Sequence, residues 1–234
     1  MRDRANTNTE LLVHVAERLG SLTDDMVFTG GCVVGLLITD EAAPDVRPTD
    51  DVDVIVELVS RQEYYQLEEK LRELGFVQKP HENGLLCRWD IDGVKVDIMP
   101  TRGEITGLSS PWFQEAWNTA STLTLAESIT IRVVTAPYFL ATKLAALFDR
   151  AHEDYLASPD LEDIVAVTDG RETLLEEIRK EPDELKKYLA DSVSSLIAKE
   201  RFMDALPGHL PHDKASKARL PSLITKIEQI ADLV

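Results

Sequence analysis

Residues 47–57 read Arg47-Pro48-Thr49-Asp50-Asp51-Val52-Asp53-Val54-Ile55-Val56-Glu57. From Asp51 onward, acidic and apolar residues alternate with a period of two among Val and Ile, which predicts a strand over 51–57. Alternate residues of a strand share a face, so Asp51 and Asp53 point together while Val52, Val54 and Val56 point the other way. Two carboxylates so placed repel each other unless a cation lies between them. Pro44 and Pro48 exclude a helix from the polar stretch 39–50 that leads into this strand.

Working outward, a hairpin follows downstream. Residues 85–91 and 94–99 flank Asp92-Gly93, a dipeptide favoured in two-residue turns. Val94, Val96 and Ile98 form the apolar face of the second arm, leaving Asp97 on the other with Lys95 and Met99. An Asp in such a strand runs against β-propensity and is costly if buried without a partner. Asp51, Asp53 and Asp97 together make a hard-oxygen donor set suited to Mg²⁺; three solvent-facing carboxylates on a half-exposed sheet would look the same in sequence. Asp90 and Asp92 repeat the spacing, but they sit at the turn, where Asp stabilises local backbone.

Upstream, Thr29-Gly30-Gly31 closes a short strand at 26–28 and precedes an apolar helix start at 32–38. Glycines at such a junction leave backbone N–H groups open to an anion, although a tight turn alone explains the pair. Helices are expected at 9–19 and at 60–74, the latter capped by Ser60 and ended by Gly75, with a further strand at 129–134. Helical periodicity then dominates at roughly 137–152, 159–168, 171–180, 183–206 and 214–233. The fold class is therefore α/β (α+β), a mixed sheet flanked by helices followed by an all-helical lobe. The expected domains are 1–135 and 136–234.

The balance of 25 Lys and Arg against 42 Asp and Glu gives the 234-residue chain a net charge of −17. Such a surface repels phosphate backbones, which excludes a general nucleic-acid coat, and it welcomes divalent cations. No apolar run reaches membrane-spanning length, the first residues are polar, and two cysteines cannot build a disulfide framework. No membrane association and a cytoplasmic location are the expectations. Cys32 and Cys87 read as small buried hydrophobes. His209 and His212 lie between Pro207 and Pro211 and read as a solvated loop, and Trp112 reads as core or as the lining of a base pocket.

Thr29-Gly30-Gly31, then Arg47-x-Thr49-x-Asp51-x-Asp53, then Asp97 on a later strand resemble the nucleotidyltransferase signature of the DNA polymerase β superfamily. The Arg-x-Thr-x-Asp-x-Asp form is especially similar to the AbiEii/MenT group of nucleotidyltransferase toxins. Residues 137–150, with Lys143 and Arg150, and the stretch Asp160-Leu161-Glu162-Asp163 resemble that group's Lys/Arg helix and Asp-x-x-Asp helix start. The likeness spans about residues 27–168. The chain departs from the common pattern at Gly31 and Cys32, where many members carry a Ser after the first Gly.

The resemblance implies a nucleotidyltransferase fold with a helical domain closing a nucleotide cleft. It implies catalytic and metal-binding roles for Asp51, Asp53 and Asp97 with two Mg²⁺ ions and an NTP such as ATP, pyrophosphate being released. It further implies nucleotide contacts from Thr29, Gly30, Gly31, Arg47, Thr49, Lys143, Arg150, Asp160 and Asp163. Structural roles compete for several of these. Lys143 and Arg150 fit surface cations, Asp160 and Asp163 fit the dipole at a helix start, and Arg47 fits a partner for Asp51 or Asp53. The toxin group points to an RNA acceptor such as a tRNA 3′ end, and raises a cognate antitoxin as a partner. Residues 199–226, with Lys199, Arg201, Lys214, Lys217, Arg219 and Lys226, are the densest basic stretch for such an RNA. A small cationic acceptor of aminoglycoside type suits the acidic composition. A non-catalytic binding or antitoxin module is the remaining reading, and retention of all three Asp positions counts against it.

Overall fold

The computed structural model describes residues 4–58, 60–79, 87–103, 110–125, 129–150 and 154–233, with the side chains of 4–6 left aside. The expected Leu85 and Leu86 of the hairpin and residues 151–152 of the first long C-terminal helix lie outside them. The chain divides into two compact units, Met1–Val33 with Arg47–Thr135 and Val34–Val46 with Ala136–Val234.

The first unit carries a seven-stranded sheet. Its strands are β1 (Met26–Thr29), β2 (Asp51–Val56), β3 (Val77–Gln78), β4 (Arg88–Ile91), β5 (Val94–Pro100), β6 (Ser121–Thr124) and β7 (Thr130–Val133). They lie in the order β3-β4-β5-β2-β1-β7-β6. The pairs β2/β5 and β1/β7 are parallel and the rest antiparallel, so the sheet is mixed. Helices α1 (Arg4–Leu19), α3 (Arg61–Glu73) and α4 (Phe113–Asn118) belong to this unit, and α2 (Val34–Leu37) opens the second. The capping box expected for the helix after β2 is present, with Ser60 accepting from the Glu63 amide and Glu63 returning a bond to the Ser60 amide. The turn between β4 and β5 has φ of 53° at Asp92 and 84° at Gly93, the left-handed pair a two-residue hairpin requires. Asp92 also holds α1 through His14 and Arg18.

The apolar face of the sheet follows the alternation read from sequence. Val52, Val54, Val96, Ile98 and Trp89 have no exposed surface. Helix α3 covers part of this face, with the Arg72 guanidinium 5.5 Å from the centre of the Trp89 ring. Strand β6, every residue of it exposed, is an edge strand with no alternating apolar signal, and β3 has two residues. Neither has a sequence signature.

The second unit is all helical: α2 and then α5 (Ala136–Asp149), α6 (Pro159–Gly170), α7 (Leu174–Lys180), α8 (Asp183–Ile197), α9 (Glu200–Ala205) and α10 (Lys214–Ala231). Two expected helices need correction. The stretch 183–206 is two helices, because Lys199 adopts an extended conformation (φ −99°, ψ 113°). That break turns Phe202 into the core edge-on against Tyr155, ring centres 5.7 Å apart. The stretch 171–180 becomes helical only at Leu174, since Arg171 leaves α6 extended, its Nε donating to both Glu177 oxygens and its Nη1 to the Leu37 carbonyl. Among the described residues no helix is long and apolar enough to cross a membrane.

One buried polar residue fixes the approach to β2. Asn8 on α1, 2% exposed, donates to the Arg47 carbonyl (3.0 Å) and accepts from the Thr49 amide (3.1 Å). Asn8→Ala removes both of these bonds from a half-buried stretch of backbone, so a stability loss of about 1–3 kcal/mol is expected in urea denaturation. Faster hydrogen exchange at the Thr49 amide is expected with it. Unchanged exchange there would show that the loop 47–50 holds itself.

Candidate active site in the first unit and an ion cluster in the second

The register of the sheet places one side chain from each of four strands in a row. Thr29 of β1 opposes Asp53 of β2, Asp53 opposes Asp97 of β5, and Asp97 opposes Arg88 of β4. One step along, Asp51 opposes Lys95, which opposes Asp90. Asp51, Asp53 and Asp97 are all half-buried, on the face opposite the Val52/Val96/Trp89 core. Neighbouring strands lie about 4.8 Å apart, so the three carboxylates crowd one another by construction.

Each is held differently. The Thr49 hydroxyl, whose residue is anchored by Asn8, donates to Oδ1 of Asp51. The Asp53 carboxylate packs on the backbone of Gly30. A Cβ at Gly30 would lie 1.8 Å from Asp53 Oδ2 and 2.9 Å from Asp53 Cβ, and Gly30 has φ of 74°. Glycine is required there twice over, for the left-handed backbone and for the approach of the carboxylate. Asp97 is forked by Arg88, Nε to Oδ1 at 2.7 Å and Nη2 to Oδ2. That pair raises the guanidinium's affinity for its proton, so Arg88 stays charged. Lys95 is drawn to Asp50 at 2.7 Å, and its ammonium holds that carboxyl below the usual carboxylate range.

The remaining sequence candidates of this unit fall around the row. Thr29 is buried and its carbonyl accepts from the Cys32 thiol at 3.2 Å. Arg47 is fixed by its backbone at Asn8. After Gly31 the chain makes a single 3₁₀ turn, Gly31–Val33, and the four-residue α2. This is shorter than the helix expected over 32–38 and too short to give Gly30 and Gly31 an anion-favouring helix terminus. Cys87 is buried, and burial pushes its thiol up to about 11, which makes it a core residue and not a nucleophile. Trp112 is core. Arg88 is the residue that sequence reasoning missed; the signal available was a cation placed to pair with Asp97 across the Asp92-Gly93 hairpin.

The donor set facing this side is hard oxygen, which fits Mg²⁺ with its habit of taking few carboxylates plus substrate phosphates. Among the described residues no three or more His, Cys, Asp or Glu side chains form a ready metal cage. Asp51 accepts from the Thr49 hydroxyl, Asp53 packs on Gly30, and Asp97 is engaged by Arg88.

In the second unit the structure gathers Lys143, Arg150, Asp160 and Asp163. Lys143 of α5 bridges Asp160 (3.1 Å) and Asp163 (2.7 Å) of α6, and Arg150 reaches the other oxygen of Asp160 at 2.7 Å. Side-chain exposure is 12% for Lys143, 4% for Asp160 and 2% for Asp163, against 57% for Arg150. Ser158 caps α6 and Pro159 opens it. The cluster ties α5 to α6, and Arg150 is its accessible member, beside a hollow lined by Leu147, Asp154 and Ser158.

The basic stretch 199–226 is not an exposed patch of six cations. Arg219 is bound to Asp40 and Asp169, each at 2.6 Å, and Lys226 donates to the carbonyls of Thr168 (3.1 Å) and Asp169 (2.7 Å). Burial lowers the pKa of Lys226. Lys199 donates to the Tyr155 hydroxyl at 3.1 Å. His209 Nε2 is hydrogen-bonded to the Tyr155 carbonyl at 2.9 Å and His212 is exposed, with no metal cluster among the described residues.

Two substitutions test this account. Gly30→Ala is expected to cost at least about 1–3 kcal/mol in chemical denaturation, from the left-handed backbone and the displaced Asp53 carboxylate together. A neutral result would mean that Asp53 turns aside freely. Lys143→Met removes the cation shared by two buried carboxylates, leaving Arg150 on Asp160, and is expected to cost about 3–5 kcal/mol, most of it recovered when Asp160→Asn and Asp163→Asn are added. Additive losses in the triple variant would show that the four groups are not one cluster.

No family model and no curated protein matches the chain. Solved structures similar to it over nearly its whole length include two from Helicobacter pylori. JHP933 from Helicobacter pylori has a TM-score of 0.48 at 13% identity, covering 99% of this chain and 94% of that one. A "putative nucleotidyltransferase from H. pylori" has a TM-score of 0.47 at 11% identity, covering 99% of this chain and 96% of that one.

Proposed function

We propose that the first unit carries a Mg²⁺-dependent nucleotidyltransferase centre, which moves an NMP from an NTP to an acceptor hydroxyl with release of pyrophosphate. The observation that carries this reading is the register row: Asp53 directly beside Asp97, with Asp51 two residues away on the same face and Gly30 bare beneath Asp53. A face so crowded with carboxylates has no evident structural use, because an apolar or neutral row would pair more stably.

Asp51 and Asp53 would hold the divalent cation, with Asp97 as the third carboxylate. When bound, the metal supplies charge neutralisation for the attacking and leaving oxygens of an in-line displacement. The protein's own part is positional. Thr49 orients Asp51 through its hydroxyl, and Asn8 fixes Thr49. Gly30 allows Asp53 to lie flat, and the Gly30 and Gly31 backbone would be the contact for phosphate oxygens. Asp97 is the carboxylate that would take the acceptor's proton.

The acceptor is a finer matter. The toxin-group resemblance favours RNA, with an antitoxin as cognate partner. The internal engagement of Arg219 and Lys226 favours a small cationic acceptor, since it removes two cations from the stretch best placed to bind RNA. Lys143 and Arg150 remain proposed phosphate contacts, Arg150 being the more exposed of the two.

The test is transfer of label from each α-labelled NTP in Mg²⁺, with total RNA or an aminoglycoside as acceptor. Wild type is expected to label one of the two. Asp53→Asn, checked for an intact melting curve, is expected to fall by roughly a hundredfold or more. Labelled RNA favours the toxin-like reading and labelled aminoglycoside the small-acceptor reading. Label that persists undiminished in Asp53→Asn would remove the proposed centre.

A further inference from the structure

We propose that Arg88 is a resident cation that occupies Asp97 and gives way to a divalent cation, a positioning residue built into the carboxylate face. The inference rests on the nucleotidyltransferase reading above. Arg88 stands directly across the β4/β5 ladder from Asp97, and its Nε and Nη2 take both carboxylate oxygens. Side-chain exposures are 25% for Arg88 and 13% for Asp97, so the pair is partly withdrawn from water and outweighs an ordinary surface ion pair.

The charges on this face explain why a cation belongs here. Asp51, Asp53 and Asp97 bring three negative charges to two adjacent strands. Lys95, on the same face, is taken by Asp50. Arg88 lies against the row itself, and its fork engages both oxygens of Asp97. A divalent cation ligating Asp97 from the same edge must displace the guanidinium. Once the metal's two positive charges are present, Arg88 is no longer needed for neutralisation. Its planar fork, at the edge of the row, becomes available to phosphate oxygens, which it fits in the same bidentate manner as a carboxylate. The same side chain therefore holds the face together before the cofactor arrives and contributes a cationic donor afterwards.

The proposal is tested by Mn²⁺ binding to the full chain, followed by the electron paramagnetic resonance of free Mn²⁺. Wild type, Arg88→Gln, Arg88→Lys, Asp53→Asn and the double variant Arg88→Gln/Asp97→Asn are compared. Arg88→Gln is expected to bind Mn²⁺ about tenfold more tightly than wild type, the weight of one charge-assisted fork. The double variant is expected to lose that gain. In cation-free buffer Arg88→Gln is expected to melt below wild type, with Mn²⁺ restoring more of its melting temperature than it adds to wild type. If Arg88→Gln fails to fold, Arg88→Lys, which keeps the charge without the fork, carries the comparison with a smaller gain. Equal or weaker Mn²⁺ binding in the Arg88 variants overturns the proposal and makes Arg88 a support that orients Asp97 for the metal. In that outcome, loss of binding in Asp53→Asn still upholds the metal centre, whereas no Mn²⁺ binding by wild type and all variants overturns both.

Discussion

Three carboxylates held on one face by strand register repel one another, and the first unit is organised around containing that repulsion. Two carboxylates about 5 Å apart in a medium of effective dielectric about 20 repel by about 3 kcal/mol. The placement cannot relax, because β2 and β5 pair in parallel register and a slip by one residue would turn Val52, Val54 and Val96 outward. The apolar face thus enforces the polar one. What surrounds the row answers to it: the Arg88 fork on Asp97, the Thr49 hydroxyl on Asp51, and a glycine beneath Asp53. Asn8 extends the support back to α1.

Much of this was legible in the sequence because the signals are local. The period of two in residues 51–56, the Asp92-Gly93 turn and the Ser60-x-x-Glu63 box each state their structure within a few residues, and each element formed as read. That Asp51 and Asp53 share a face follows from the same periodicity. That Asp97 stands beside Asp53 does not, since it depends on which strands pair and in what register. The Arg88 contact, by contrast, lay within reach of sequence, because the two-residue turn at Asp92-Gly93 sets Arg88 across from Asp97. The break at Lys199 was hidden because Ala198 and Lys199 both favour helix, and the packing of Phe202 against Tyr155 overrides them. Strand β6 was invisible for the opposite reason: an edge strand exposed on both faces has no alternation to read.

The second unit shows how one residue pattern serves two purposes. Asp160 and Asp163 sit at the start of α6, where acids suit the helix dipole, and Lys143 lies between them. Sequence alone offered a surface cation or a phosphate ligand for Lys143. Burial gives it a third setting, an ion cluster that joins two helices with few exposed atoms. Such clusters need all their members, because the attraction offsets desolvation only when every charge is matched. The same holds for Arg219 between Asp40 and Asp169.

The segment Val34–Val46 belongs to the helical unit although it is flanked in sequence by residues of the sheet unit. Its partners come late: Leu37 meets Arg171 across 134 residues and Asp40 meets Arg219 across 179. At a synthesis rate of about 5–20 residues per second, residues 34–46 wait roughly 7–36 seconds on the ribosome before those partners exist. During that interval β1 and β2 can pair around an unfinished insertion whose apolar side chains, Leu37 and Ile38 among them, have nowhere to go. The contact between Asp40 and Arg219 of α10 is thus among the latest this early segment can make.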